Sequence, residues 1–432
     1  MSEKYKLGLS RNRLFQFNST VVFSGKFKCN PQPADIGKAL KMLASKVPVI
    51  TANVELCEGA DAFIVTDTVE PVALFSDLNA EDIVLNYEKN PLRFNDRLYE
   101  FTVSCDGYFI IAGHTVFCDS KSLLRLAKYF AEFYSKTTLS VEAEEVYTFS
   151  QPKSLPVDVI SPLVNKLSSE LDDKWQKGAR SFSVDDYNIA RGSYLNKIAE
   201  TGKHFFSLSV EDVVKIREKA IGNQIDFSSV VCFAFYKAIR ETVKCEKDSS
   251  KMRVWADRRF FHGGNKSYSV GAYNGTVSVH LTPKEWRKSE EEQIKLFHTD
   301  LYKALTSPFR VFSDEILLHN IQNSFCDSAY MYMSGEFKSK SSRNLAENYS
   351  CMNKELCEFF YCNLTQRFWQ GIDFYENISV SEPFMPYRSR FSVSVCESAE
   401  GSVCELRFDK ATVTCEQASA IVNKAKNYIL EY

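Results

Sequence analysis

The stretch GHTVFCDSKSLLRLAKYF, Gly113 to Phe130, brings an imidazole and a carboxylate within five positions of each other. It reads as the end of a strand, a tight polar turn and the start of a helix. An imidazole at a strand end can take a proton from a hydroxyl, amine or thiol near neutral pH. A nearby carboxylate can orient that ring, or hold the turn through a salt bridge. His114 and Asp119 have these types. Cys118 and Ser120 are nucleophiles by type, but the sequence identifies no base beside either, and Cys118 is expected to pack under the turn. Of the remaining histidines, His262 in the glycine-rich FFHGGNK is a further candidate, whereas His204, His280, His298 and His319 fall in strand or helix contexts and read as structural. HGGNKSYSVGAYNG is glycine-rich but lacks the Lys-Ser/Thr ending of a phosphate-binding loop, which argues against nucleotide binding.

Several elements must position that turn. LYEFTVSC and YFIIAGH form a predicted hairpin around Asp106-Gly107, and KSLLRLAKYFAEFY is an amphipathic helix with Leu123, Leu126, Ala127, Phe130 and Phe133 on one stripe. FNSTVVFSGKF, ITANVEL and DAFIVT read as strands, and PADIGKALKMLASKVP as a helix. After a proline-rich stretch and a charged helical one, LVNKLSSELDDKWQKGA, the pattern restarts. KHFFSLSVEDVVKIREKAIGN is strand, cap and helix, with Ser209 and Asp212 as a capping box. QIDFSSVVCFAFYKAIRETV is a helix apolar nearly all round, hence buried. KMRVWADRRFF, SVGAYNGTVSVHL and FFYCNLTQRFW supply strands, RFSVSVCESAEGSVCELRFD a hairpin, and TCEQASAIVNKAKNYIL a closing helix. This repeated order predicts an α/β protein with mixed sheets in two lobes, residues 1–165 with the histidine turn and residues 166–432 as the second lobe.

Composition narrows the function classes. The chain has 432 residues, 25% charged, with 53 Lys and Arg against 55 Asp and Glu, and no long basic run, so nucleic acid is not an expected partner. No run of about 18 apolar residues predicts a membrane span, and the amino-terminal residues lack the apolar core of a secretory signal, so a cytoplasmic monomer is expected. The 13 cysteines lie mostly in apolar stretches, form no CxxC pair and are expected to be reduced thiols, with no metal site. The 33 Phe and 21 Tyr suit an aromatic core or an apolar tunnel.

The turn resembles the HHxxxDGxSL signature of the chloramphenicol acetyltransferase-like superfamily, and especially of nonribosomal peptide condensation domains. His114 matches the first His, Asp119 the Asp, and Ser122 and Leu123 the Ser and Leu, while Ser120 stands in place of the Gly. VWADRRFF followed by SVGAYNGTVSVHL resembles the family's Arg-bearing strand and Gly-Asn turn, and YCNLTQ is similar to the Ser-Asn-Leu-Gly strand of related acyltransferases. The resemblance implies a two-lobed condensation-domain fold with a tunnel between the lobes and the turn at its middle. It implies transfer of an acyl group from a carrier-protein or coenzyme A thioester to an amine or hydroxyl, with no bound cofactor. Phosphopantetheine or CoA would arrive as part of the substrate, and an acyl or peptidyl carrier protein would be the partner. It further implies a structural salt bridge from Asp119 to Arg258, with Arg259 as the second choice, and tunnel contacts from Asn274 and Asn363. His262, beyond Arg258, would approach the cleft.

The signature's second His, the family's base, is Thr115 here, and a threonine hydroxyl is no base near pH 7. In an extended strand His114 points to the opposite face, unless a bulge at Ala112-Gly113 re-aims it. Two functions therefore stand side by side: an acyltransferase with an atypical site at His114 and Thr115, and a catalytically silent condensation-like module that docks carrier proteins or a partner enzyme.

Overall fold

The computed structural model of the chain describes residues 3–17, 19–57, 61–135, 143–146, 162–176, 180–196, 201–243, 251–262, 269–318, 321–348, 355–365, 372–384 and 389–432. Its strands are β1 (Lys4–Lys6), β2 (Thr20–Phe27), β3 (Asn53–Leu56), β4 (Ala62–Val65), β5 (Ala73–Phe75), β6 (Tyr99–Val103), β7 (Tyr108–His114), β8 (Thr201–Leu208), β9 (Met252–Asp257), β10 (Asn274–Val279), β11 (Glu355–Asn363), β12 (Tyr375–Ser381), β13 (Ser389–Ser398) and β14 (Gly401–Asp409). Its helices are α1 (Pro33–Lys46), α2 (Ala80–Lys89), α3 (Ser120–Tyr134), α4 (Pro162–Gln176), α5 (Val184–Leu195), α6 (Val210–Gly222), α7 (Phe227–Thr242), α8 (Arg259–His262), α9 (Glu290–Leu305), α10 (Pro308–Val311), α11 (Ser313–Leu318), α12 (Asn323–Ser334), α13 (Lys340–Asn348) and α14 (Cys415–Glu431).

Two mixed sheets organise these elements. One has the order β12-β2-β7-β6-β5, the other β10-β9-β11-β13-β14-β8, and a small third sheet runs β1-β4-β3. The α/β class with mixed sheets and helical layers is as the sequence predicts. Local chemistry sets most boundaries. The β6–β7 hairpin turns at Gly107, whose φ of +85° suits a residue without Cβ. Ser209 and Asp212 close the capping box that opens α6, and Asp226 caps the buried helix α7 through the Ser229 amide. Aromatic side chains fill the first lobe: Phe109 and Phe130 stack with ring centres 4.2 Å apart, and Phe27 lies 5.7 Å from Tyr375.

Sheet membership does not follow chain order throughout. β12, from the second half, pairs antiparallel with β2, placing Val380 opposite Phe23. Leu171 and Trp175 of α4, Tyr187 and Tyr194 of α5, and Phe325 and Tyr330 of α12 join the core built around Phe23 and Phe109. These elements lie beyond residue 165 yet pack on the first lobe, because an apolar stripe specifies burial without specifying the layer that buries it. Helices α9 to α13 lie between residues 290 and 348, where the sequence pattern assigns no element. The strand expected through KMRVWADRRFF ends at Asp257, and Arg259 opens the short helix α8. Among the described residues, no helix is long and apolar enough to cross a membrane. Most of the proline-rich stretch before α4, and His319, fall outside the described residues.

The β13–β14 hairpin makes a measurable demand. Gly401 has φ +120°, and a Cβ there would sit 2.2 Å from the Leu208 carbonyl oxygen. Gly401→Ala is expected to cost about 3 kcal/mol from backbone strain and overlap together. A melting temperature equal to wild type would show that the hairpin relaxes freely.

Candidate functional site

β7 delivers the turn. It runs antiparallel to β2, with His114 opposite Thr20, Gly113 opposite Val21 and Ala112 opposite Val22. The register carries no shift there, so no bulge re-aims the histidine. Phe109 and Ile111 join the core beneath α3, while Ile110 and Ala112 pack with Ala80, Ile83 and Tyr87 on the α2 side. His114 shares the parity of the α2-side residues and meets Phe94 edge-on, with ring centres 6.2 Å apart. Its glycine neighbour is required for a separate reason. A Cβ on Gly113 would lie 2.5 Å from Cys118 Sγ and 3.1 Å from Leu123 Cδ2, because the turn folds back over the strand.

The imidazole is fully buried. Its Nδ1 accepts the Val116 amide at 3.1 Å, so the neutral ring carries its hydrogen on Nε2, which is buried without a hydrogen-bond partner. Burial first, and the Arg191 guanidinium second, push its pKa from 6.5 down to about 3. Thr115 is committed as well. Its amide donates to the Ser19 carbonyl at 2.7 Å and its hydroxyl to Gln16 Oε1 at 3.1 Å. Cys118 packs beneath the turn, where burial holds its thiol well above the usual range. These groups leave no proton acceptor at the two positions that match the histidines of the signature.

Asp119 caps α3 and ties the lobes together. Its Oδ1 accepts the Ser122 amide at 2.8 Å and Arg259 Nη2 at 2.9 Å, and its Oδ2 accepts Arg259 Nη1 at 2.9 Å and the Tyr273 amide at 3.0 Å. Ser122 Oγ adds bonds to both the carbonyl and the amide of Gly271, at 2.7 and 2.9 Å. Arg259 also lies over the Tyr273 ring, 4.4 Å from its centre. Burial alone would lower the guanidinium pKa, but the carboxylates of Asp119 and Asp257 more than offset it and raise it. The salt bridge therefore goes to Arg259, and the expected pairing with Arg258 is corrected. Arg258 directs Nε and Nη2 at the Val311 carbonyl, 3.3 and 3.2 Å away, and passes the backbone of Gly275, where a Cβ would lie 2.6 Å from Nε. The glycine opens that path, so the fork that reaches the turn comes from the following residue.

A cavity of about 50 Å³ lies against this clamp. Asp119, Ser120 and Lys121 line it from the first lobe, and Trp255, Asn274 and Tyr361 from the second. Asn274, one of the two expected tunnel residues, is held there by Arg13, which donates to its side-chain and main-chain oxygens. Asn363 does not line this cavity. Its Oδ1 instead accepts the amide and hydroxyl of Thr365 at 2.8 and 2.7 Å. Neither His114 nor Thr115 reaches the cavity, and the His262 side chain is outside the described atoms.

The sequence reading missed Glu382, which follows β12 and lines the same cavity. Its Oε1 accepts both the hydroxyl and the amide of Ser120, and its Oε2 is buried without a hydrogen-bond partner. Burial, with a smaller push from the Asp119 charge, raises its pKa to about 7, although the Ser120 hydrogen bonds oppose the rise. No local motif announces this residue. It arrives because β12 crosses to pair with β2. A second hollow, about 900 Å³, lies on the α2 and α5 side and includes Lys89, Arg93, Arg191, Lys203 and Lys410 in its lining. Arg191 is the cation that acts on His114.

This architecture, two mixed-sheet lobes clamped at an Asp-capped turn, is the fold of condensation-type domains. Three solved structures share it at a TM-score of 0.63. The epimerization domain from the third module of tyrocidine synthetase B is 11% identical and covers 100% of this chain and 96% of its own. The condensation domain from Monacolin K polyketide synthase is 9% identical, covering 99% and 97%. The trichothecene 15-O-acetyltransferase from Fusarium sporotrichioides is 12% identical, covering 99% and 95%. No protein-family model matches the sequence, and no curated protein matches it.

Proposed function

We propose that this protein is a condensation-type acyltransferase that moves an acyl group from a pantetheine thioester, on a carrier protein or on coenzyme A, to an amine or hydroxyl. The Asp119–Arg259 clamp carries this reading, because it fixes the turn against a cavity to which both lobes contribute. The hollow lined by five Lys and Arg side chains supports it, since both thioester carriers bring phosphate groups. The likeness to an acetyltransferase and to condensation-type domains agrees with the reading at the level of fold.

A second reading, a silent module that docks a carrier or partner enzyme, is favoured by one observation: Thr115 is tied to Gln16 and His114 is sealed. The two separate in one assay. Acetyl-CoA and S-acetyl-pantetheine, offered with small primary amines and alcohols, are expected to release thiol only when an acceptor is present, in wild type and in His114→Ala alike. Binding without turnover, together with a gain of turnover in Thr115→His, would identify the silent module. Robust turnover abolished by His114→Ala, with the variant folded, would show that the histidine reacts after all. Neither binding nor turnover would reject both readings.

A further inference from the structure

We propose that Glu382, whose side chain lines the cavity between the lobes, is the base of this site and accepts the acceptor's proton. The inference rests on the acyl-transfer reading and assigns it a residue that the histidine turn does not supply.

The cavity's other carboxylates are committed. Asp119 is filled by Arg259 and two amides, and Asp257 accepts from Arg259 and from Lys121, the latter at 2.9 Å. Glu382 differs in that one oxygen is held and the other is not. Ser120 fixes Oε1 with its hydroxyl and its amide, which orients the carboxyl, and Oε2 remains buried without a partner. A buried carboxylate oxygen lacking a hydrogen bond is costly unless it has another use. Ser120 also occupies the place of the Gly in the resembled signature, so the residue that departs from the pattern is the one that holds the carboxyl.

The charged and titratable groups facing Glu382 are Asp119, Lys121, Asp257, Arg259 and the Tyr361 phenol around the cavity, Glu358 on β11, and the thiols of Cys118 and Cys362. Glu358 is neutralised by Arg253 at 3.0 Å. Within this set burial dominates and places the carboxyl near pH 7, where a base works best.

The reaction balances without a co-reactant. Glu382 takes the proton of an amine or hydroxyl as its nitrogen or oxygen attacks the thioester carbonyl carbon. The new C–N or C–O bond forms, the C–S bond breaks, and the leaving thiolate recovers the proton from the Glu382 carboxylic acid. The cavity of about 50 Å³ takes the reacting ends of donor and acceptor, and a short acyl donor is the first to test.

The test uses S-acetyl-pantetheine with small primary amines across pH 5.5 to 8.5, a span of about three units centred on the expected base. Wild-type kcat is expected to rise about tenfold per pH unit below 7 and to level off above it. Glu382→Gln, which keeps the shape and the bonds to Ser120, is expected to lose about 10²–10⁴-fold in kcat with KM little changed. Ser120→Ala, which loses the hydroxyl bond and keeps the amide bond, is expected to lower turnover near pH 7 and move the profile to higher pH, since the lost hydrogen bond had lowered the Glu382 pKa. Wild-type turnover that persists in Glu382→Gln with an unchanged profile overturns the inference and leaves the acyl-transfer reading standing. Thioester binding by wild type with no turnover at any pH overturns both. If Glu382→Gln fails to fold, the Ser120→Ala profile decides, and an unshifted midpoint counts against Glu382.

Discussion

Asp119→Ala is expected to destabilise the protein by about 3–5 kcal/mol, the range for removing one partner of a buried ion pair. Arg259, which is 4% exposed, would keep its charge with only Asp257, at 3.2 Å, left to compensate it. The amides of Ser122 and Tyr273 would lose their acceptor in the same substitution. A double-mutant cycle separates the candidate partners. Asp119 should couple strongly to Arg259 in thermal or denaturant unfolding and only weakly to Arg258. An unchanged melting temperature in Asp119→Ala, or equal coupling to the two arginines, would mean that the clamp does not hold the lobes. Its functional consequence follows from position: Ser120, which holds Glu382, is the next residue, so loosening the cap also loosens the carboxyl.

The second large effect is an acid sensitivity with its source at His114. In the folded protein its pKa is about 3, whereas an unfolded histidine titrates near 6.5. Between these values the unfolded chain binds more protons than the folded one, so stability falls as pH falls. The contribution is fully present above about 6.5 and amounts to a loss of about 3 kcal/mol by pH 4. His114→Gln removes the titration, so wild type should lose that much more stability than the variant between pH 7 and pH 4. Parallel pH curves for the two proteins would rule out a sealed neutral imidazole. The ring's proton resonances give an independent check and should not titrate above about pH 4. A histidine that titrates in the ordinary range would be open to solvent and available as a base.

Glu382 has the opposite sign. Its folded pKa, raised to about 7, makes the folded state the stronger proton binder from pH 4.5 to 7, and stability from this group falls as pH rises through that window. The two groups therefore divide the pH range between them: His114 weakens the fold in acid, and Glu382 weakens it toward alkaline pH while becoming a competent base.

The sequence by itself determined what local chemistry can encode. The Asp106-Gly107 hairpin, the apolar stripe of α3, the capping box at Ser209 and Asp212, and the turn from His114 to Leu123 are each specified within a few residues. Their order sufficed for the two-lobed condensation-type plan. The absence of a base at Thr115 was also legible, because strand parity alone turns adjacent side chains to opposite faces. Tertiary structure decided the contacts made across the chain. Whether Arg258 or Arg259 reaches Asp119 depends on where β9 stops and on the space above Gly275, more than a hundred residues from the turn. Glu382 enters the site only because β12 crosses to pair with β2, and its burial, free oxygen and raised pKa follow from that crossing. Periodicity records which residues are buried. Which buried residues meet, and what their meeting does to a proton, is set by packing between segments that the sequence keeps far apart.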